Sequence, residues 1–436
     1  MLLLPPNRSW PHCGATGGEN LRPLVSGRGA ASFVVVWLTT VPATNRTLGW
    51  LRPPRPQFPR HAGHSALILA LVAGVITACG ALHRPWGEIV IGPGEPVLLG
   101  FAVDADTTGA VSGLPSQTPS GDGSRVAGHS IRLVPISVHC QAATPSAIAP
   151  TPDALTNLAG YIGGACSSGC IYAEGLLYRQ RTTMIASGCT SSAVVQQGYP
   201  TVFRIAWDDD DQAHVAADYA RSGLHSQRVA VVRDTSVYAR SMTTAFASRF
   251  RASGGRVGEV EIPVTGPVDT AQVAARVRSS GAGAVFFAVG RADSAGLYRS
   301  LQPSLGPLPV IASDTVLGPS AAELPDGLVA VGLAKQNGVW GSELDGSGTG
   351  AAPFSGQAND AERLYAAALN KVATRRGDGS LAIGRERLRD TLADIELTGD
   401  TGRLGFDSRG ERRHDTGAAL YRISNGQATL LNEYKR

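Results

Sequence analysis

Two predicted strands near the middle of the chain are each followed by small residues that could bind an anion. The strand Gly160 to Gly163 leads to Ser167 and Ser168 at the start of a predicted helix. The strand Thr183 to Ala186 leads to the sequence Ser-Gly-Cys-Thr at 187–190. Backbone N–H groups at a helix N-terminus can bind a carboxylate or phosphate, and hydroxyl groups add donors. Ligands of open parallel sheets bind beyond the carboxyl ends of the strands, so we expect both loops to face one anion.

The elements that must position these loops alternate from Glu88 onward. Short apolar runs alternate with longer amphipathic stretches, which is typical of α/β proteins with parallel sheets. The predicted strands are Pro96 to Val103, Ser130 to Val138, Gly160 to Gly163, Thr183 to Ala186, Arg228 to Arg233, Arg256 to Ile262, Ala284 to Val289, Pro309 to Ala312 and Gly327 to Gly332. The predicted helices are Asp209 to Ser222, Val237 to Ser253, Asp269 to Gly281, Ala292 to Gln302, Asp360 to Arg375 and Arg385 to Asp394.

Turn residues mark the remaining segments. Thr401 to Glu433 is predicted to form antiparallel strands, with turns at Ser408-Arg409-Gly410 and Asn425-Gly426. Asp104 to Gly128 and Ser342 to Gly356 are rich in glycine and small polar residues and are predicted loops.

Composition excludes several classes of protein. The chain has 436 residues, which allows two or three domains, and its 39 basic and 35 acidic side chains leave a net charge of +4. That charge is too small for a nucleic-acid-binding surface, and no basic run adds to it. No Walker A sequence occurs, so we expect no ATP hydrolysis by this chain. No cofactor is expected.

Two further motifs are better explained without catalysis or metal. The sequence from Ala165 to Gly169 superficially resembles a nucleophile elbow, but no His and Asp pair follows at a recognisable spacing, so we expect no enzyme. The run Asp208 to Asp211 lacks the glycine and spaced ligands of a calcium loop. It is predicted to cap a helix with solvated charge.

The N-terminal region is predicted to direct export. Residues 65–78 form a short apolar run preceded by arginines, as in a secretory signal, and they end before Cys79 in a sequence that resembles a bacterial lipobox. Cys79 is then the lipid-bearing first residue of the mature chain, followed by a linker over 79–95. The alternative is an uncleaved anchor. Residues 1–64 are interpreted as a mis-assigned start or a disordered extension.

Cysteine usage agrees with export. Four cysteines lie beyond the predicted lipidation site, namely Cys140, Cys166, Cys170 and Cys189. An even number in an oxidising compartment predicts two disulfides. A zinc site formed by the same four cysteines is the alternative, although the paired C-x-x-C spacing of zinc knuckles is absent.

Beyond these motifs, most of the chain resembles the periplasmic branched-chain amino acid binding proteins, the type I solute-binding proteins of ABC transporters. The order and spacing of the matching pieces carry the resemblance. These pieces are VAGHSIRLV at 126–134, YIGGACSS at 161–168, IASGCT at 185–190, GYPTVFR at 198–204, QRVAVVRDTSVY at 227–238 and GFDSRG at 405–410.

This resemblance implies a ligand site. The family holds the carboxylate of its ligand at positions that match Ser167, Gly188 and Thr190, and the neighbouring Ser168 and Cys189 are included as candidates. It holds the ammonium with a carboxylate that matches Asp314, and Tyr238 matches a tyrosine that lines the pocket. From the residues alone, Ser167 or Thr190 could instead be helix caps, Asp314 a solvated loop residue and Tyr238 a core residue. The family's disulfide matches Cys140 and Cys166, which leaves Cys170 and Cys189 as a second bridge.

Three departures from the family bear on the ligand. Asp104 to Gly128 is shorter than the family's corresponding helical region. An aromatic residue expected in the first binding loop has no counterpart near Thr107 to Gly109. A family tyrosine pair is replaced by Gly290-Arg291, so Arg291 is a candidate contact for an acidic group of the ligand.

The resemblance implies an α/β fold of two Rossmann-like lobes with parallel central sheets, joined by three crossover strands. We expect lobe 1 at 96–222 and 330–405 and lobe 2 at 223–329 and 406–436, with crossings near Ser222, Val329 and Gly405. It also implies a monomeric, lipid-anchored extracytoplasmic receptor that binds an amino acid or similar small polar solute. Its partner would be the membrane permease of an ABC importer. The alternative is a sensing or orphan binding module with the same fold.

Overall fold

Two sheets organise the molecule, each covered by helices on both faces. The computed structural model describes residues 86–105, 125–142, 144–164, 166–291, 293–317, 323–333, 354–413 and 417–434. The predicted extension, signal sequence and lipidation site at 1–79 lie outside the described residues, as does most of both predicted loops, at 106–124 and 334–353.

The strands are β1 Glu88–Ile91, β2 Val97–Asp104, β3 Arg125–Val126, β4 His129–Val138, β5 Gly160–Gly163, β6 Met184–Ala186, β7 Val202–Arg204, β8 Arg228–Arg233, β9 Arg256–Glu261, β10 Ala284–Ala288, β11 Val310–Ala312, β12 Val329–Leu333, β13 Thr374–Arg375, β14 Leu381–Gly384, β15 Leu397–Gly399, β16 Gly402–Leu404, β17 Ala418–Ser424 and β18 Gln427–Tyr434. The helices are α1 Pro145–Ile148, α2 Ser167–Gln180, α3 Ala193–Gln196, α4 Asp209–Asp218, α5 Val237–Ala252, α6 Thr270–Ser279, α7 Ser294–Leu305, α8 Ser355–Val372 and α9 Arg385–Asp394.

The first sheet has the strand order β3-β4-β2-β5-β6-β7, and β4 through β7 run parallel. Its side chains alternate between two cores because successive residues of a strand point to opposite faces. Ile162 and Ile185 pack with α8, while Tyr161 and Met184 pack with α2. We call this sheet and its helices α2, α8 and α9 the first lobe.

The second sheet has the order β18-β17-β12-β11-β10-β8-β9, in which β12 to β9 run parallel and the hairpin β17-β18 is antiparallel. Phe286 lies on the face covered by α4 and α5, and Phe287 on the face covered by α6 and α7. This sheet and α4–α7 form the second lobe. The fold class expected from the sequence is confirmed.

Local signals explain where the helices begin and end. Asp208 is the N-cap of α4, and its side chain accepts a hydrogen bond from the backbone of Asp210. Ser236 caps α5 in the same way through the backbone N–H of Ala239, and that helix ends before Gly254, whose φ is +83°. The predicted helix ending at Ser222 is α-helical only to Asp218, because its last turn widens into a π-helix.

The lobes exchange chain at positions that differ from those expected. The helix α4 was expected in lobe 1, but its buried residues pack with strands β8 and β10 of the second sheet. The first crossing therefore lies at 205–208 and not near Ser222. Strand β12 pairs with β11, so the second crossing follows Leu333. Phe406 packs in the first lobe, so the third crossing comes after it and before β17.

Candidate functional site

The loops that follow β5 and β6 lie against each other, as their position in neighbouring parallel strands predicts. The backbone N–H of Ser187 donates to the carbonyl oxygen of Gly163 at 2.6 Å. The backbone N–H of Ser191 donates to the hydroxyl of Ser167 at 3.2 Å. We call these two loops, residues 164–168 and 187–191, the anion loops.

Gly188 has a steric reason to be glycine. A Cβ atom built there would lie 2.6 Å from the carbonyl oxygen of Gly164, closer than real Cβ contacts. The two backbones can approach to this distance only because Gly188 lacks a side chain. This approach brings the carboxyl ends of both strands to one point.

Ser167 and Thr190 do not cap their helices. The N-cap of α2 is Cys166 and that of α3 is Ser192, and neither uses a side-chain cap. Ser167 is 3% exposed and accepts a hydrogen bond from the next loop, and Thr190 is also 3% exposed. The hydroxyl of Ser168 points toward the sulfur of Cys166, at 3.4 Å.

Two disulfides fasten the anion loops. Cys140 pairs with Cys166 across a Cα–Cα distance of 6.0 Å, and Cys170 pairs with Cys189 across 6.4 Å. Both bridges are confirmed, and the zinc alternative for these cysteines is wrong. The side chain of Cys189 is fully buried in its bridge, so only its backbone is available to a ligand.

An acidic group faces the anion loops from the second lobe. Asp314 begins a short 3₁₀ turn, Asp314–Val316, after β11, and Tyr238 lies in the first turn of α5 after β8. The tyrosine hydroxyl donates to the Oδ1 atom of Asp314. The predicted pair is therefore brought together at the carboxyl edge of the second sheet.

Asp209, the first residue of α4, completes this group and was missed in the sequence. Its side chain is 0% exposed, so the prediction of solvated charge is wrong for this member of the aspartate run. Neither carboxylate oxygen has a hydrogen-bond partner of normal geometry within the described ranges. Asp209, Gln212, Ala213 and Ala216 recur at helical spacing and form the buried face of α4, a face that only the packing of this helix identifies.

Burial dominates the electrostatics of these groups. The residue Asp314 is partly exposed, but its carboxyl lies inside the protein, and loss of water raises its pKa from 3.8 to about 6, partly offset by the hydrogen bond from Tyr238. Burial and the nearby charge of Asp314 raise the pKa of Asp209 well above its ordinary value, although the Thr190 hydroxyl lowers it. Burial and Asp314 likewise raise the pKa of Tyr238.

Thr190 connects the two ends of the site. Its carbonyl oxygen accepts a hydrogen bond from the backbone N–H of Asp209 at 3.0 Å, and its hydroxyl lies near the Asp209 carboxylate. The hydroxyl and N–H donors of the first lobe are therefore next to the buried acids of the second lobe. Such a pair of subsites matches a small molecule with a negative and a positive end.

Arg291 lies elsewhere. Its guanidinium donates to Asp293 at 2.7 Å and to the carbonyl oxygen of Pro263 at 3.0 Å. Within the described ranges, no contact joins it to Tyr238 or Asp314. Gly290 does contact the site, because a Cβ atom there would lie 2.4 Å from the hydroxyl of Ser236 and 3.5 Å from the ring of Tyr238.

In the described part of the chain, no group of three or more His, Cys, Asp or Glu side chains is placed to hold a metal ion. The same part contains no helix that is both long and apolar enough to cross a membrane.

Known proteins with similar sequences are binding proteins. A family model for periplasmic binding proteins matches residues 157–376, about half of the chain. A Pseudomonas aeruginosa protein described as an amino acid binding protein is 27% identical over 181 residues, which are 42% of this chain and 46% of that protein. The chain spans less than half the length of the curated relatives it matches.

Solved structures share the fold. The leucine-binding protein LivK of Thermotoga maritima is 17% identical, with a TM-score of 0.63 over 77% of this chain and 98% of its own. A solute-binding protein of an ABC transporter from R. palustris, solved in complex with benzoate, is 15% identical, with a TM-score of 0.62 over 78% of this chain and 96% of its own.

Proposed function

Because the chain belongs to the periplasmic binding protein family, we propose that it is an extracytoplasmic receptor that binds an amino acid between its two lobes. The observation that carries this proposal is the position of Asp209. Its side chain is fully buried, and the loss of water raises its pKa well above the ordinary value, so a positive group bound beside it would favour the charged carboxylate. In the first lobe, Asp209 lies beside Thr190, a residue of the anion loop 187–191.

The ligand fits this arrangement as a zwitterion. Its carboxylate binds the hydroxyls of Ser167 and Thr190 and the backbone of Gly188 in the anion loops. Its ammonium lies between Asp209 and Asp314, and Tyr238 orients Asp314 by the hydrogen bond described above. Closure of the lobes removes water, so each charge-assisted hydrogen bond counts for more.

The buried acids favour an amino acid over a simple carboxylic acid. The solved relative from R. palustris binds benzoate, which has no ammonium. A benzoate-like ligand here would occupy the anion loops and leave Asp209 and Asp314 without a cation. The two acids have raised pKa values and would gain a favourable partner only from an ammonium, so the amine-bearing ligand is favoured.

The cellular role is proposed on the family and the predicted N-terminus. The receptor is anchored outside the cytoplasm through lipidated Cys79 and delivers its ligand, as a monomer, to the permease of an ABC importer. In this proposal the first lobe comprises 88–204 and 354–413, and the second comprises 209–333 and 417–434. The linker expected at 79–95 is therefore too long, because β1 pairs with β14 and packs in the core of the first lobe. Rotation of the lobes is absorbed at the three crossings between them.

Calorimetric titration of the purified protein tests the ligand class. Leucine, isoleucine, valine, alanine and glutamine are each titrated beside the acid that lacks only the amino group, for example leucine beside 4-methylpentanoate. We expect one amino acid to bind with a 1:1 stoichiometry and its des-amino partner to bind roughly 100-fold more weakly, because two buried charges lose their counter-ion.

Variants locate the binding site. Thr190→Ala and Asp314→Ala each remove one subsite and should weaken the bound amino acid by at least about tenfold. The control is Asp218→Ala, which removes an exposed carboxylate paired with Arg249 at 2.8 Å on the surface. Binding that survives both site variants, or a des-amino acid that binds as tightly as its parent, contradicts the proposal.

A further inference from the structure

One arginine side chain is fully buried at the first crossing between the lobes. Arg204 is the last residue of β7 and has 0% exposure. Its guanidinium donates to the Thr190 carbonyl oxygen at 2.7 Å and to Asp208 Oδ2 at 2.7 Å. It also binds both carboxylate oxygens of Glu411, at 2.9 and 2.7 Å. All three nitrogens of the fork are therefore used.

The three partners come from separate parts of the chain. Thr190 belongs to an anion loop, and its carbonyl oxygen also accepts from the backbone N–H of Asp209. Asp208 is the N-cap of α4 and directly precedes the buried ligand candidate Asp209. Glu411 lies 207 residues from Arg204 in sequence, on the segment that precedes the third crossing. The guanidinium of Arg204 thus connects the anion loop 187–191, the start of α4, and the segments at the first and third crossings.

The backbone strengthens the same connection. The N–H of Arg204 donates to the carbonyl oxygen of Gly410 at 2.8 Å, and Arg204 and Glu411 form an isolated parallel bridge. The segment 405–411 is therefore held beside β7. The guanidinium of Arg204 joins Glu411 to the carbonyl group of Thr190 through direct hydrogen bonds.

The charges of the cluster are suited to a fixed geometry. One buried cation faces two carboxylates, Asp208 and Glu411, whose exposed side-chain fractions are 18% and 16%. These carboxylates raise the pKa of Arg204 against the effect of burial, so the guanidinium stays charged. A planar fork holds three acceptors in fixed directions, which the single ammonium of a lysine cannot do.

We infer that Arg204 is a positioning residue for ligand binding, which holds the anion loop and the start of α4 in register with the crossings between the lobes. This inference rests on the proposed function, in which Thr190 and Asp209 contact the two ends of one ligand. It adds that Glu411, which does not itself contact the ligand, helps to position the ligand site by binding the guanidinium of Arg204.

Hydrogen exchange of the ligand-free protein tests the connection without a ligand. In Arg204→Lys, we expect backbone amides of 187–193 and 407–413 to exchange about tenfold faster than in the wild type, because the guanidinium that donates to both segments is lost. The matched control is Arg249→Lys, which breaks a similar two-bond pair with Asp218, at 2.8 and 2.8 Å, on the surface. It should leave both segments unchanged.

Calorimetric titration with L-leucine supplies the second measurement. Arg204→Lys should weaken leucine binding about tenfold, and Glu411→Gln, which keeps an acceptor for the guanidinium, should weaken it less. If Arg204→Lys does not fold, Glu411→Gln replaces it in the exchange experiment. The backbone amides of 187–193 should then exchange faster in Glu411→Gln than in the wild type. A purely structural role would lower the unfolding temperature without changing the affinity of the folded protein.

The outcomes separate the two proposals. Unchanged exchange at 187–193 in both variants, or leucine affinity equal to that of the wild type in a folded Arg204→Lys protein, overturns the positioning role. Failure of the wild type to bind leucine or any amino acid counts against the proposed function, while the exchange data still decide whether Arg204 couples these segments.

Discussion

Asp314→Asn should stabilise the ligand-free protein while it weakens ligand binding. Burial raises the pKa of Asp314 from 3.8 to about 6, so at neutral pH the folded protein holds a carboxylate in an environment that disfavours its charge. A rise of this size corresponds to roughly 3 kcal/mol at pH 7.5. Asparagine has nearly the same shape and carries no charge.

One effect reduces this figure, because water screens a residue that is partly exposed. The hydrogen bond from Tyr238 needs no separate deduction, since it already lowers the pKa of Asp314 against the effect of burial. We therefore expect the free energy of unfolding at pH 7.5 to rise by about 1–2 kcal/mol.

The dependence on pH gives the sign of the effect. A carboxyl with a raised pKa in the folded state contributes stability below its unfolded pKa and loses it as the pH rises through about 6. The wild type should thus lose stability relative to Asp314→Asn between pH 4 and pH 7. The difference between the two proteins should fall below about 1 kcal/mol at pH 4.

Urea unfolding of both proteins without ligand, at pH 4, 6 and 7.5, measures this difference. Asp293→Asn is the opposite control, because hydrogen bonds from Arg291 lower the pKa of Asp293 and its loss should destabilise the protein at pH 7.5. The reasoning is refuted if Asp314→Asn is no more stable than the wild type at pH 7.5, or if the difference does not shrink toward pH 4.

Three more predictions follow from the same site. Affinity for an amino acid should fall as the pH drops below about 6, by up to about tenfold per pH unit, because the ammonium needs ionised Asp314; calorimetry from pH 7.5 to pH 5 measures it, and a flat profile contradicts it. Gly188→Ala should weaken binding by about tenfold or more, because the new Cβ must displace the carbonyl of Gly164; Gly254→Ala, at an exposed helix end, tests whether loss of any glycine has this effect. Serine at both Cys170 and Cys189 should lower stability by about 2–3 kcal/mol, for a loop closed over 19 residues; thermal unfolding of this variant and of the wild type, both without reductant, measures the difference, and equal midpoints would show that this bridge does not stabilise the protein.

Much of the fold was predictable because its signals are local. The strand Gly160 to Gly163 and the helix Arg385 to Asp394 have the predicted bounds. An apolar run bounded by glycine, or an amphipathic stretch of ten residues, carries its own evidence. The short strands β1, β13 and β14 were missed, because their two to four residues become strands only by pairing with distant segments.

The anion loops were predictable for a similar reason. Their small residues follow directly after strands, and parallel strands bring their carboxyl ends to one edge. The acidic side of the site was only partly predictable. Asp314 and Tyr238 came from a family resemblance, while Asp209 was hidden in a run of four aspartates in which only the packing of α4 decides which side chain is buried.

By itself, the sequence determined the class of fold, the order of the main strands and helices, and the loops that hold the anion, since these depend on residues close together in the chain. Only the tertiary structure decided which lobe contains α4, which aspartate is fully buried, and that Arg204 is bound to Glu411. These depend on partners up to 207 residues apart. The energy of a buried charge is set by the groups that surround it in space, whatever their distance in sequence.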